Sequence, residues 1–441
     1  MIKEFHNRNG RIELVDNNQL FGNSNVFSIL VGKNGTGKST LLGNLITEVS
    51  KESIHRRKYD YSLRMNNDFF PQEIISISTS PFDKFPINRF NRTPHYTYLG
   101  IRDLRSENTG LAYLAKIIAS LISSVSKDDR QSYEIGRVLD YLGYNDEIWM
   151  QFQLANSNRF LEEIAQLEDP FVIFESRNRT NIRRFNKSFF LNKDDTINER
   201  KVLKLKDVAH KVLNGIFYSS KFELMMNRNG LSIGHEESED VLFLIQAGVV
   251  RLKDVQLRSN KDGSHFSIKN ASSGEQSIIL SILGIASKIK DNCLICIDEP
   301  EICLHPQWQE KYIDILTSTF DQYKNCHFII ATHSPQIISR LSRHNSFIVN
   351  MESNETRNAQ NFINHSADFQ LANIFDSPGY KNEYLSRIAL NIFTKVSKHK
   401  SFDEDDLTKF KILDRQSPFL SENDPVYDLY ITLKEMLEIY G

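Results

Sequence analysis

Cysteine is scarce, with four in 441 residues, and that excludes a disulfide scaffold. Net charge is scarce too. Lys+Arg total 54 against 56 Asp+Glu, a formal charge of -2. A histone-like or wholly basic nucleic-acid binder is thereby excluded, and any nucleic-acid contact must use a local patch. No apolar run reaches the ~18 residues that a spanning helix needs; the longest are Val241–Val250 and Ser277–Ala286. The opening Met1-Ile-Lys-Glu-Phe-His6 lacks the basic-then-apolar layout of a secretory signal. Fixed-period repeats, low-complexity tracts and long heptad runs are also missing. These absences lead to the expectation of a cytoplasmic protein of a reducing compartment, with no membrane partner.

Hydrophobic residues make up 40% of the chain, including 29 Phe and 16 Tyr, which supplies packed cores and argues against disorder. At about 100–200 residues per domain the length suggests two or three units. Arg11–Val15, Val26–Val31 and Ile74–Ser78 read as strands. From 110 to about 168, and again over 196–217, the pattern is helical. Strands return at Phe222–Leu224, Gly230–Ile233, Val249–Gln256 and His265–Ile268, then at Leu294–Ile297, Phe328–Ala331 and Phe347–Val349. The last 75 or so residues read mostly as helix. Cys293 and Cys296 form a C-x-x-C inside an apolar strand pattern, where their side chains point to opposite faces. Core thiols are the better reading of that pair than a metal or redox site.

Four short segments carry chemistry. Gly32-Lys-Asn34-Gly35-Thr36-Gly37-Lys38-Ser39 matches the P-loop pattern, with an apolar strand before it and a helix after. Average usage gives about 0.02 such matches by chance in a chain this long. Glycines let backbone N–H groups turn inward around phosphate oxygens, and the following helix adds its positive end. Gly32, Asn34, Gly35, Thr36, Gly37, Lys38, Ser39 and Thr40 are the nucleotide-binding candidates. Lys38 is placed to reach the β/γ-phosphates and Ser39 to coordinate Mg2+. Leu294-Ile-Cys-Ile-Asp298-Glu299 is an apolar strand ending in two acids. Asp298 is the second Mg2+ candidate, and Glu299 is the residue expected to polarise the attacking water. Ser272-Ser273-Gly274-Glu275-Gln276 opens a helix and offers a second anion site through Ser273, Gly274 and Glu275, although the same letters also make an ordinary capping sequence. Finally, His333 in Ala331-Thr-His-Ser-Pro335 follows a buried strand, and either donates to a γ-phosphate or is structural.

In this order the four segments resemble the ABC-type ATPase head, in the branch of the OLD-family, RecF-like and SMC-like ATPases. The echoes are Ser272–Gln276, Asp298-Glu-Pro-Glu-Ile-Cys-Leu-His-Pro-Gln-Trp-Gln309 and Ala331-Thr-His-Ser-Pro-Gln336. The resemblance implies an α/β fold: a P-loop head with a mixed β-sheet core, a helical insertion and a mainly helical C-terminal region. The corresponding divisions are 1–105 (N-lobe), 106–220 (helical insertion), 221–350 (C-lobe) and 351–441 (helical partner or oligomer region). It also implies ATP and Mg2+ as cofactors and a head-to-head dimer. ATP would then lie between one P-loop and the partner's Ser273/Gly274 segment, with Glu299 as base, His333 as γ-phosphate switch, and 301–306 communicating across the dimer. One departure is clear. The glutamine that such ATPases commonly carry after the next strand is missing, and Thr79-Ser80-Pro-Phe-Asp83 stands there instead; a hydroxyl or Asp83 is the candidate substitute.

No second active site is expected. Asp403-Glu-Asp-Asp406 contains Asp-x-Asp, yet no apolar strand precedes it, so it reads as an acidic helix start and not as a Toprim nuclease. The tail segments 366–375 and 379–387 are similar to ATPases of bacterial anti-phage systems of the Septu and retron-linked kind. That likeness implies a partner effector nuclease of HNH or Toprim type. The competing expectations are a RecF/SMC-like DNA-repair ATPase and a scaffold that binds ATP without useful turnover. Arg177, Arg179, Arg183, Arg184 and Lys187 form one basic stretch that could touch nucleic acid. Arg89, Arg92, Arg102 and Arg105, flanking Tyr96 and Tyr98, form another. A solvated face is the plain alternative for both, and adenine stacking is a further possibility for either tyrosine.

Overall fold

The computed structural model describes residues 1–7, 10–16, 22, 24–54, 63–65, 71–87, 95–104, 109–126, 129–154, 158–172, 186–192, 194, 196–214, 221–233, 238–342 and 344–441. At its centre is a seven-stranded sheet. It comprises β3 (Val26–Val31), β5 (Ile74–Ser78), β6 (Tyr96–Gly100), β12 (Leu294–Asp298), β13 (His327–Ala331), β14 (Ser346–Asn350) and β15 (Glu355–Asn358), in the order β15-β14-β3-β13-β12-β5-β6. All neighbours run parallel except β14 and β15.

Parallel strands of this kind are covered on both faces, so they read as unbroken apolar runs. Phe27, Ile29 and Val31 of β3 enter one core, while Val26 and Leu30 enter the other. Helix α1 (Lys38–Ile54) packs Leu41, Leu45 and Ile46 on the second side. A small sheet of β1 (Ile2–Asn7), β2 (Gly10–Glu13) and β4 (Leu63–Met65) contributes Ile2, Phe5 and Ile12 to that core. On the first side lie α2 (Thr109–Val125), α3 (Asp129–Tyr141) and two further helices introduced below. The C-x-x-C pair divides as its spacing predicts, Cys293 into the first core and Cys296 into the second.

The segment 106–220 is not wholly helical, and here the sequence reading needs correction. Besides α2, α3, α4 (Asn158–Gln166) and α5 (Glu199–Leu213), it holds β7 (Tyr144–Leu154). Ile148, Met150 and Phe152 are buried while their neighbours are less so, which is the period of a strand. β7 pairs antiparallel with β8 (Lys221–Asn227) and with β10 (Val250–Ser259). The resulting sheet has the order β11-β10-β7-β8-β9, with β9 (Gly230–Ile233) and β11 (His265–Ser267) at its edges. The strand therefore joins 106–220 to the following segment. A short helix, α6 (Ser238–Gln246), precedes β10.

After the sheet come α7 (Ser273–Ala286), α8 (Pro306–Thr319) and α9 (Pro335–Ser339); α7 and α8 are the helices that complete the first core. The tail is mainly helical, with α10 (Ala367–Asn373), α11 (Glu383–His399), α12 (Glu404–Gln416) and α13 (Pro425–Tyr440). These helices share a core of their own, built around Leu385, Ile392, Leu413, Val426 and Leu433. Among the described residues no helix is long and apolar enough to cross a membrane.

Candidate nucleotide site

The sheet order brings the chemical segments to one edge. β3, β13 and β12 are neighbours and parallel, so the phosphate loop, His333 and the Asp298-Glu299 pair all leave the same ends of adjacent strands. Gly32, Gly35 and Gly37 take φ of 148°, 85° and 90°, a region in which a side chain is strained. Asn34, Gly35 and Thr40 are exposed around the loop, and the Thr36 hydroxyl donates to the Lys33 carbonyl at 2.9 Å. Lys38 is buried, and its ammonium donates to the carbonyls of Gly32 at 2.8 Å and Lys33 at 3.1 Å. Burial lowers its pKa, against the opposing pull of Glu299, Glu301, Asp298 and Glu352.

The Ser39 hydroxyl donates to Asp298 Oδ1 at 3.0 Å, linking positions 259 residues apart. Asp298 is buried, and desolvation, the largest cause, pushes its pKa up to about 7. A desolvated carboxylate meeting a hydroxyl is a hard-oxygen donor set of the kind that suits Mg2+. Glu299 has φ 50°, a left-handed conformation that costs a non-glycine residue on the order of 1–3 kcal/mol and tends to mark functional turns. Its amide donates to the Ala331 carbonyl at 2.9 Å. Its carboxylate then lies 3.8 Å from His333 Nε2. Burial first, and the Lys38 charge second, hold the His333 pKa below its ordinary value. Glu301, half-buried, accepts the His333 backbone N–H.

Ser272 caps α7. Its amide and hydroxyl both donate to Glu275 Oε2 at 2.9 Å, and the Glu275 amide donates back to its hydroxyl at 3.2 Å. Glu275 is thus engaged in a capping box, while the neighbouring Ser273 is exposed. A Cβ at Gly274 would lie 3.4 Å from the Cys303 carbonyl and 3.6 Å from Trp308, so this helix start sits directly on the 301–306 turn.

Two sequence readings are corrected here. Tyr96 and Tyr98 are both buried. Their hydroxyls bond Ser76 and the Pro86 carbonyl, and Asp83, respectively, which rules out adenine stacking. Their shared face on β6 enters the core. Arg102 donates to the Asp83 and Phe85 carbonyls, so it is committed to the fold and does not present a free cation. Arg89, Arg92, Arg105, Arg177, Arg179, Arg183 and Arg184 lie outside the described residues, as does the side chain of Lys187. The Asp403 cluster is the predicted helix start. Asp403 and Asp406 form a capping box, and Lys395 and Lys409 pair with its carboxylates. Sequence reasoning did not find Glu352, whose carboxylate accepts the Lys33 amide at 2.7 Å. No local pattern marks that residue.

Comparison with known proteins adds the following. The family described as "AAA domain, putative AbiEii toxin, Type IV TA system" matches residues 27–339. The chain is 22% identical over 360 residues to a "Retron Vc95 probable ATPase" of Vibrio cholerae serotype O1 biovar El Tor, covering 73% of this chain and 68% of that protein. It is 24% identical over 379 residues to a "Retron Ec83 probable ATPase" of Escherichia coli, covering 73% and 66%. The match thus spans about two thirds of each relative's length. Among solved structures, an Smc head domain of Pyrococcus furiosus bound to the C-terminal domain of ScpA is similar at TM-score 0.29 and 11% identity, covering 81% of this chain and 95% of that one. UvrA2 from Deinococcus radiodurans is similar at TM-score 0.24 and 14% identity, covering 76% and 34%. Likenesses at these scores do not define the fold, which rests on the topology above.

Proposed function

The chain belongs to the AAA-domain family described with the AbiEii toxin of type IV TA systems, and on that premise we propose that it is an ATP-hydrolysing switch whose two copies close on ATP and gate a partner effector nuclease in anti-phage defence. The observation that carries the ATPase reading is the Ser39–Asp298 hydrogen bond, with Glu299 and His333 beside it. It joins the phosphate loop to a buried acid that would hold Mg2+ with Ser39. The bound cation would neutralise charge on the transferring phosphate. Lys38 and the backbone amides of the loop orient the phosphates, and Glu299 takes the proton of the attacking water. His333, kept neutral by burial, offers one N–H toward the same place.

ATP acts as a switch if it is bound between two surfaces that separate once it is cleaved. The exposed Ser273 and the Cys303 turn packed beneath it supply such a surface. The two retron ATPases that align with this chain support the defence setting.

Of the four cysteines only Cys303 is exposed, so it reports directly on closure. Glu299→Gln should bind ATP as tightly as the wild type while turnover drops by about 10²-fold or more. With Mg-ATP the variant should run as a dimer in light scattering, and Cys303 should be shielded from a maleimide. Wild-type turnover in the variant, or a monomer with freely labelled Cys303 at saturating ATP, would overturn the switch. Cleavage of plasmid DNA by the purified chain alone would overturn the division of labour.

A further inference from the structure

We propose that the Thr79 hydroxyl is a further oxygen donor, directly or through one water, to the cation held by Ser39 and Asp298. It would stand in for the missing glutamine and so complete the metal's supporting shell. The proposal rests on the nucleotide-site reading above. β5 runs parallel to β12 with Ser78 opposite Asp298. Thr79 is therefore the first residue past the strand end, level with Glu299.

Four polar side chains lie between Ser78 and Asp83, and three of them are already engaged. The Ser78 hydroxyl accepts the Ser80 amide at 3.0 Å, and the Ser80 hydroxyl accepts the Phe82 amide at 3.2 Å. Asp83 accepts the Phe85 amide at 3.0 Å on one oxygen and the Tyr98 hydroxyl at 2.7 Å on the other, with the Arg102 guanidinium 3.6 Å away. Pro81 and Phe82 carry no polar side-chain atom. Thr79 Oγ1 alone is buried without a hydrogen-bond partner. A buried hydroxyl left without a partner is costly, and such a group calls for a reason. Mg2+ takes near-octahedral oxygen coordination at close range, and Ser39 and Asp298 together supply only part of it.

The loop that carries Thr79 cannot drift. A Cβ at Gly43 of α1 would lie 2.3 Å from the Lys84 carbonyl, so the phosphate-loop helix and this loop are in direct backbone contact. Asp83 and Phe85 are buried beneath it. The backbone that carries the hydroxyl is therefore fixed beside the end of β12, and because both Asp83 oxygens are engaged the choice between a hydroxyl and Asp83 as substitute falls to the hydroxyl.

The test compares Thr79→Val, which keeps the shape and removes the oxygen, with Thr79→Ser, which keeps the oxygen. ATP binding is titrated by calorimetry against MgCl2, and repeated in EDTA. Mn2+ in the protein–ATP complex is followed by electron paramagnetic resonance. Thr79→Val should raise the Mg2+ concentration for half-saturation about tenfold, the low end for loss of a metal-supporting group. It should change the Mn2+ spectrum and leave metal-free ATP binding as in the wild type, while Thr79→Ser should restore the wild-type requirement. An unchanged Mg2+ titration in Thr79→Val would overturn the proposal. So would a Thr79→Ser variant as impaired as the valine, which would mark a packing role for the methyl group. Wild-type protein that binds no ATP with Mg2+ would instead bring down the nucleotide-site reading itself, and this proposal with it.

Discussion

The ammonium of Lys33 rests 4.6 Å from the ring centre of Phe419, so the phosphate loop touches the C-terminal helices. The same lysine donates its amide to Glu352. Glu352 is positioned by Asn350, whose Oδ1 accepts the Glu352 amide at 2.8 Å and whose Nδ2 reaches the Ile374 carbonyl at 3.2 Å. Two routes thus tie the loop to the tail. Both Lys33 and Phe419 are partly exposed, and a cation–π contact in that setting is worth about 0.5–1 kcal/mol. A double-mutant cycle with Lys33→Ala and Phe419→Ala, read by urea unfolding, should return a coupling of that size. A coupling of zero would mean that the tail and loop are merely adjacent.

The phosphate loop was legible because its chemistry admits few residue types at fixed spacing. Asp298 and Glu299 were legible because a parallel strand buried on both faces ends abruptly in charge. Strand β7 carried its own signal in Ile148, Met150 and Phe152, but helical patterns on both sides of it obscured the change of period. Tyr96 and Tyr98 looked like a stacking surface because arginines flank them. Their i, i+2 spacing on one strand, which sends both rings to the same face, was the stronger clue. The Lys33–Phe419 and Lys33–Glu352 contacts join distant parts of the chain through the closure of β14 and the docking of the tail, and no window of sequence contains either pair.

Asp298 predicts an unusual dependence of stability on pH. Its folded pKa is raised from 3.8 to about 7, so between those values the native state holds a proton that the unfolded state has released. Stability therefore falls as pH rises through this window and levels off above about 7. Without nucleotide or metal, Asp298→Asn should melt several degrees above the wild type at pH 8, and the gap should shrink at pH 5. Mg-ATP should then stabilise the wild type more than the variant, because the buried charge is what draws the cation. Scanning calorimetry in EDTA gives the first comparison. An identical gap at both pH values would mean that the carboxylate is not desolvated in solution.

His327 predicts the opposite slope in an overlapping window. It is fully buried. The Ser28 hydroxyl donates to the Leu14 carbonyl at 2.6 Å, which uses its proton, so the 2.9 Å contact to His327 Nε2 must be an N–H of the imidazole donating to Ser28. His327 Nδ1 accepts the Ile2 amide at 3.2 Å. Both ring nitrogens are satisfied in the neutral form, and burial holds the pKa well below 6.5. Below about pH 6.5 the unfolded chain takes up a proton at this residue that the native state refuses, so stability falls as pH falls, by up to ~1.4 kcal/mol per pH unit. Asp298 partly cancels this in the wild type. The clean comparison is therefore Asp298→Asn against Asp298→Asn with His327→Gln, by urea unfolding at about pH 5.5, 6.5, 7.5 and 8.5. The single variant should lose stability relative to the double one as pH drops from 6.5 to 5.5 and hold a nearly constant difference above 7. A difference that stays flat across the series would show that the imidazole accepts its second proton inside the folded protein.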